Sequence, residues 1–274
     1  MHLKEGDSSE SGIKRVTVNI NLPAALVKLD RDLQHLVDLV SIGVTGVRKV
    51  EEAEYKVSPF AAAQQLHEPL PFSKVKDEYL FWCLKNAFTE AIDRIGEFLE
   101  ECRVLATLYR LGSTTINGEE WNRIWTTERE EFDWKGFPHK IEYLREKCGA
   151  TSQFEGHVLT LNQARNCLVH RLGVVSQKDS KGKEFFTMKW HAMRIVIIDS
   201  VTGEETFLPQ LTPTKNESMV NVRIGPVEKQ FRIGDSIRLS PDELNYTMWT
   251  FHSFALEILQ AIERLRPDLS TARS

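Results

Sequence analysis

The 274-residue chain predicts a mainly α fold: a helical bundle with a β-hairpin-rich insert before its last helix. Three observations carry that class. Leu84, Phe88, Ala91, Ile95, Phe98, Cys102, Leu105 and Tyr109 recur in alternating steps of four and three. That is a heptad-like stripe held over roughly seven turns, as in a bundle. From 184 to 239 the apolar period drops towards two, the period of strands. It returns to four and three in Leu244, Met248, Phe251, Ala255, Ile258, Ile262 and Leu265.

Each element has its own local signals. Residues 1–12 are rich in Ser, Glu and Gly and read as a disordered tail. A single domain is expected over 13–274, with a strand and helix at 13–45, a bundle core at 75–175, the insert at 184–239 and a closing helix at 241–266. "RVTVNINL" (15–22) alternates as a short strand does. Pro23 opens a helix that "SIGVTG" should end near 42. Residues 50–72 carry Pro59, Pro69 and Pro71 and read as irregular. A long helix follows over 75–111, with Gly112 as its C-cap. Helices are expected at 118–132 and at 137–148, the second bounded by Pro138 and Gly149, and another at 157–172 stopped by Gly173. In the insert, "TMKWHAMRIVIID" reads as strand and Thr202-Gly203 as a turn into "EETFL". "MVNVRI" is a further strand, and Gly234-Asp235 between "KQFRI" and "SIRL" is a hairpin signal. Ser240, Pro241 and Glu243 form an N-cap, first helical position and capping box for the last helix, which Pro267 ends.

Composition excludes several classes. Net charge is −4, so any nucleic-acid contact must use a local patch. No apolar run approaches the roughly 18 residues of a membrane span. "MHLKEGDSSESG" lacks the apolar stretch of a signal peptide, so a cytoplasmic protein without a membrane partner is expected. Cys83, Cys102, Cys148 and Cys167 are scattered without a CxxC, and neither a disulfide framework nor a metal site is predicted. Three of them fall on apolar helix faces and read as core. The sequon at Asn216 carries no meaning in a cytosolic chain.

One stretch, "LNQARNCLVHRLGVV" (161–175), sets Arg165, Asn166 and His170 in an otherwise apolar run. At about 100° per residue from Leu161, Ala164, Leu168 and Leu172 lie within roughly 60° of it and define a core face. Arg165, Val169, Asn166 and His170 sweep from about 40° to about 180°, a flank leading away from the core. Asn166 and His170, spaced i to i+4, can touch. A wet flank would explain this pattern, and chance alone supplies roughly one to two Arg-x4-6-His matches in such a composition.

The longer string is more specific. Arg165, Asn166, Val169, His170, Gly173 and Val175 form Arg-Asn-x-x-Val-His-x-x-Gly-x-Val, which resembles the signature of HEPN domains. These are helical domains of toxin–antitoxin, abortive-infection and other RNA-targeting systems. The resemblance is close over 157–175 and only architectural over 75–266. Residues 13–60 and the β insert have no counterpart. What it implies is a metal-independent endoribonuclease without cofactor, with Arg165, His170 and Asn166 as its catalytic set and a homodimer through the 157–172 helix. An antitoxin or defence-system protein is the partner class it implies.

The residue types suit that chemistry. Cleavage to a 2′,3′-cyclic phosphate needs proton transfers, for which histidine is apt. It also needs a fixed cation on the phosphate, for which arginine's planar fork is apt. Asn166 would orient His170 or hold a phosphate oxygen. Whether His170 is base or acid stays open. Arg171, Lys178, Lys181 and Lys183 could hold an RNA backbone, although a solvated loop is the stronger reading of the lysines. His139, His191 and His252 share no ligand spacing and read as structural. Trp82, Trp190 and Trp249 read as core. Trp121, Trp125 and Trp134 could stack on bases, with packing favoured. The alternative to an enzyme is a non-catalytic HEPN-like module that binds RNA, a nucleotide or a partner protein.

Overall fold

The computed structural model describes residues 3–5, 16–18, 21–55, 70–112, 117–133, 136–207 and 217–266. Helices dominate them. The order is β1 (Leu3–Glu5), β2 (Val16–Val18), α1 (Leu22–Lys49), a 3-10 turn (Glu52–Glu54), α2 (Phe72–Leu111), α3 (Gly118–Asp133), α4 (Phe137–Cys148), α5 (Glu155–His170), α6 (Gln177–Ser180), β3 (Phe185–Asp199), β4 (Glu205–Phe207), β5 (Ser218–Arg232) and α7 (Pro241–Glu263). A mainly α chain with a β insert before its last helix is therefore what folds. Two compact units partition it, one of 1–30, 96–152 and 255–274, the other of 31–95 and 153–254.

In the first unit, Leu3 pairs with Val18 and Glu5 with Val16, antiparallel, so the run expected to be a disordered tail contains a strand. Asn21 caps α1, its Oδ1 accepting the Ala24 N–H at 3.2 Å. The core comes from Phe98, Leu99, Cys102 and Ala106 of α2, Phe132 of α3, Ile141, Leu144 and Cys148 of α4, and Ile258 and Ile262 of α7. Burial pushes the Cys102 and Cys148 thiols up, as expected of core residues. Among these apolar groups sits Arg103, fully buried. Its Nε and Nη2 donate to Glu100 Oε1 at 3.2 and 2.8 Å. Its guanidinium lies over the rings of Trp125, at 5.1 Å, and Phe132, at 5.7 Å. Trp125 also stacks on Trp121, 5.5 Å between centroids. Trp134 and Asn216 lie outside the described residues, as do Pro59, Pro69 and Pro267.

The second unit joins a small sheet to helices. Its strand order is β4-β3-β5, all antiparallel, and β3 and β5 pair without a break from Phe185↔Arg232 to Asp199↔Ser218. Phe186, Met188, Trp190 and Ala192 alternate into the core, which α5 and α7 share through Val158, Leu161, Leu168, Leu244 and Phe251. Helix hydroxyls cover the proximal edge of β3. Thr160 Oγ1 accepts the Lys189 N–H at 3.0 Å and Thr250 Oγ1 the His191 N–H at 2.9 Å. Ser240 caps α7 as expected: Glu243 N–H donates to Ser240 Oγ at 3.1 Å and Ser240 N–H to Glu243 Oε2 at 2.8 Å.

Three further expectations fail. Helix α1 does not stop near 42 but runs through Gly43 to Lys49, since Val44 continues the buried stripe of Leu36 and Val40. An isolated glycine costs a helix only about 1 kcal/mol. Trp82 and Trp249 are exposed rather than core. Trp249 lies about 100° round the helix from buried Met248, and its ring packs edge-on against His252. Finally, 236–239 does not form a hairpin with the strand before Gly234-Asp235. The Ile237 N–H donates to the Gly173 carbonyl at 2.8 Å instead.

Candidate functional site

Helix α5 is built to hold its polar flank steady. Val158, Leu161, Ala164, Cys167 and Leu168 are buried and anchor it. It ends at His170, two residues earlier than the spacing predicts, because two N–H groups turn back to one carbonyl. Arg171 and Gly173 both donate to the Cys167 oxygen, at 3.0 and 3.1 Å. That closure puts Leu172 at φ 52° and Gly173 at φ 82°. The φ of Gly173 favours glycine, and a Cβ there would come within 3.1 Å of Leu168 Cδ2, which would have to give by a few tenths of an ångström. The chain beyond is then tied down: Val175 N–H donates to the Asp235 carbonyl and Gly234 N–H to that of Val175, both at 2.9 Å.

Leu172 is the correction this geometry forces. The helical wheel puts it on the core face, but the helix has ended and its side chain is 78% exposed. A bulky side chain at positive φ is strained, at a cost of order 1–3 kcal/mol. Val169 and Val174 beside it are exposed as well.

Arg165 and Asn166 are half-buried on the flank, and His170 is exposed at its end. Arg165 Nη2 donates to Asp93 Oδ1 of α2 at 3.1 Å, and its Nη1 to Asn166 Oδ1 at 3.4 Å. Its Nε is buried and meets no hydrogen-bond acceptor among the described residues. The guanidinium is thus held from two sides. His170 is five residues on, about 7.5 Å of helical rise from Arg165, and one turn from Asn166. Nothing in the sequence announces Asp93, which lies 72 positions away on a different helix.

Arg171 is committed elsewhere. Its Nε donates to Asp179 Oδ2 at 3.0 Å and its Nη2 to Asp179 Oδ1, a bidentate pair. The Asp179 carboxylate is buried, and it also accepts the Ser176 N–H and hydroxyl, each at 2.8 Å. Burial alone would raise the Asp179 pKa. The hydrogen bonds from Ser176 and Arg171 outweigh it and hold the group below its ordinary value. Arg171 therefore locks the 176–180 turn, and using it on RNA would leave a buried carboxylate unpaired. Lys178, Lys181 and Lys183 stand exposed on and after that turn.

A second polar group lies at the other end of α5, about 20 Å from His170 by helical rise. The His157 ring meets His191 of β3 edge-on at 4.6 Å between centroids, and Phe154 meets His191 at 4.7 Å. Burial, then His191, then Lys189 lower the His157 pKa. His191 packs against Phe154 and His157; period and spacing do not relate a helix start to a strand, so the sequence does not single out His157.

No family model, curated protein or solved structure matches this chain. Among the described residues, no helix is long and apolar enough to cross a membrane, and no three His, Cys, Asp or Glu side chains group as metal ligands would.

Proposed function

We propose that this chain is a metal-independent endoribonuclease of the HEPN type that works as a homodimer, with Arg165 and His170 as catalytic residues and Asn166 beside them. The observation that carries the reading is one flank of one helix. It gathers Arg165, Asn166 and His170, and it ends in three exposed apolar side chains, Val169, Leu172 and Val174. Leu172, two residues past His170, holds its side chain in solvent at positive φ. In a second copy docked on this flank it would be buried, and two Arg–His sets would face one RNA phosphate. Lys178, Lys181 and Lys183 would extend the contact along the backbone, and Arg171 would not. A role in toxin or anti-phage defence follows from the resemblance alone.

Asp93 favours a second reading. Its carboxylate already occupies part of the Arg165 guanidinium, which suits a non-catalytic module that binds RNA, a nucleotide or a protein. One experiment separates the two. Purified protein is incubated with total RNA in EDTA, and products are tested for 2′,3′-cyclic phosphate ends. Wild type should cleave, and His170→Ala should be slower by about 10²-fold or more. Cleavage that survives His170→Ala unchanged would sink the enzyme reading, and RNA retention without cleavage by either protein would favour the module. In cells, wild type should arrest growth and Arg165→Ala should not.

A further inference from the structure

Among the described residues, the distal half of the β3–β5 ribbon leaves an apolar strand exposed, and β5 is an edge strand paired with β3 alone. Val220, Val222 and Ile224 are 70%, 53% and 66% exposed. They share a sheet face with their partners Ile197, Ile195 and Met193. Folded proteins blunt such edges with lysine, proline or a bulge. Between Ser218 and Gly225 there is neither lysine nor proline, the pairing with β3 runs without a bulge, and the charge of Arg223 is taken up by Glu205 of β4.

Backbone alternation shows which groups are open. The Lys189 and His191 N–H groups point away from β5, to Thr160 and Thr250. Even-numbered β3 residues therefore bond to β5, and in this register they oppose odd-numbered β5 residues. The backbone groups of Val220, Val222 and Ile224 then face outward, on the same residues whose side chains form the apolar face.

We infer that β5 pairs antiparallel with β5 of a second copy of this chain, with Val222 on the two-fold axis. Val222 meets Val222, and Val220 meets Ile224 on each side. These three pairs make about six backbone hydrogen bonds, and every apolar residue meets an apolar one. Arg223 meets Asn221. Centring on Arg223 instead would set two like charges opposite each other. Centring on Asn221 would put Ile224 against Ser218. In the register proposed, the next outward residue after Ile224 is Pro226, opposite Ser218; it has no N–H to give, and the ladder ends there. The contact falls well below the roughly 800 Å² per partner of a stable interface, so the pairing is reversible and concentration-dependent. It is independent of the nuclease reading and uses a different surface.

Disulfide trapping under mild oxidation tests the register in the full-length chain. Facing residues lie about 5.5 Å apart between Cα atoms, within disulfide reach. Val222→Cys should give a covalent dimer at high protein concentration. Ile224→Cys alone should not, since its copies lie about 14 Å apart along the strand. A mixture of Val220→Cys and Ile224→Cys chains should cross-link with each other. Equal trapping by Val222→Cys and Ile224→Cys, or none by Val222→Cys, would overturn the pairing. Val222→Lys in a Leu172→Asp background should stay at the 31.5 kDa monomer mass, while Leu172→Asp alone still associates. Equal association of the two would also overturn it.

Discussion

At the scale of single residues, the Asp93–Arg165 pair decides how the flank behaves. A guanidinium held by Asp93 on one side and Asn166 on the other has one orientation to offer a phosphate. The same carboxylate weakens attraction for that phosphate. Asp93→Asn removes the charge and loosens the fork, so the two effects separate in the kinetics. KM for RNA should fall, and kcat should fall about tenfold, because ground-state attraction rises while preorganisation is lost. Initial rates across RNA concentrations read both constants. A rise in kcat would show that Asp93 restrains the site rather than aligning it. With Asp93 59% exposed, the substitution leaves the fold intact.

At the scale of elements, helix ends marked by local chemistry were legible and long-range pairings were not. Gly149 at φ 64° after α4 and the Ser240–Glu243 box before α7 sit where their own side chains or φ freedom dictate. The stripe of α2 was legible for a similar reason, since Leu84 to Cys102 bury every third or fourth residue. Residues 236–239 were misread because Gly234-Asp235 does make a turn, but the strand leaving it finds Gly173 and Val175, far away in sequence, before it finds β5. The candidate site divides in the same way. Arg165, Asn166 and His170 share one helix and could be seen together, whereas Asp93 and the His157–His191 contact exist only after folding. Burial of His157, and then the nearby His191, make the stability of the fold sensitive to acid. The folded His157 titrates below its ordinary value of 6.5, so the unfolded chain takes up the proton first. Stability is then complete above pH 6.5 and falls as pH drops below it. Replacing His157 with Gln should flatten the fall in urea midpoint between about pH 7 and pH 5. An identical slope in both proteins would remove His157 from the account.

At the scale of the whole molecule, the proposed activity depends on assembly. One chain supplies a single Arg165–His170 set, and His170 stands exposed at a helix end, where water would compete for every proton it moves. Docking of a second copy on Val169, Leu172 and Val174 would exclude that water and bring the second set. Leu172 is the place to break it, because its side chain lies in solvent and adds nothing to the core of its own chain. Leu172→Asp should therefore leave the denaturation midpoint of the monomer within about 0.5 kcal/mol of wild type. Two carboxylates facing across the interface would oppose docking, and RNA cleavage should fall with the dimer, by about 10²-fold at concentrations where wild type is paired. Leu172→Gly, which relieves the positive φ and removes the anchor, should stabilise the chain slightly while weakening association. With Val222→Lys present throughout to remove β5 pairing, sedimentation velocity gives the association and urea titration the stability. A Leu172→Asp, Val222→Lys protein that remains dimeric and active would place the interface away from this flank.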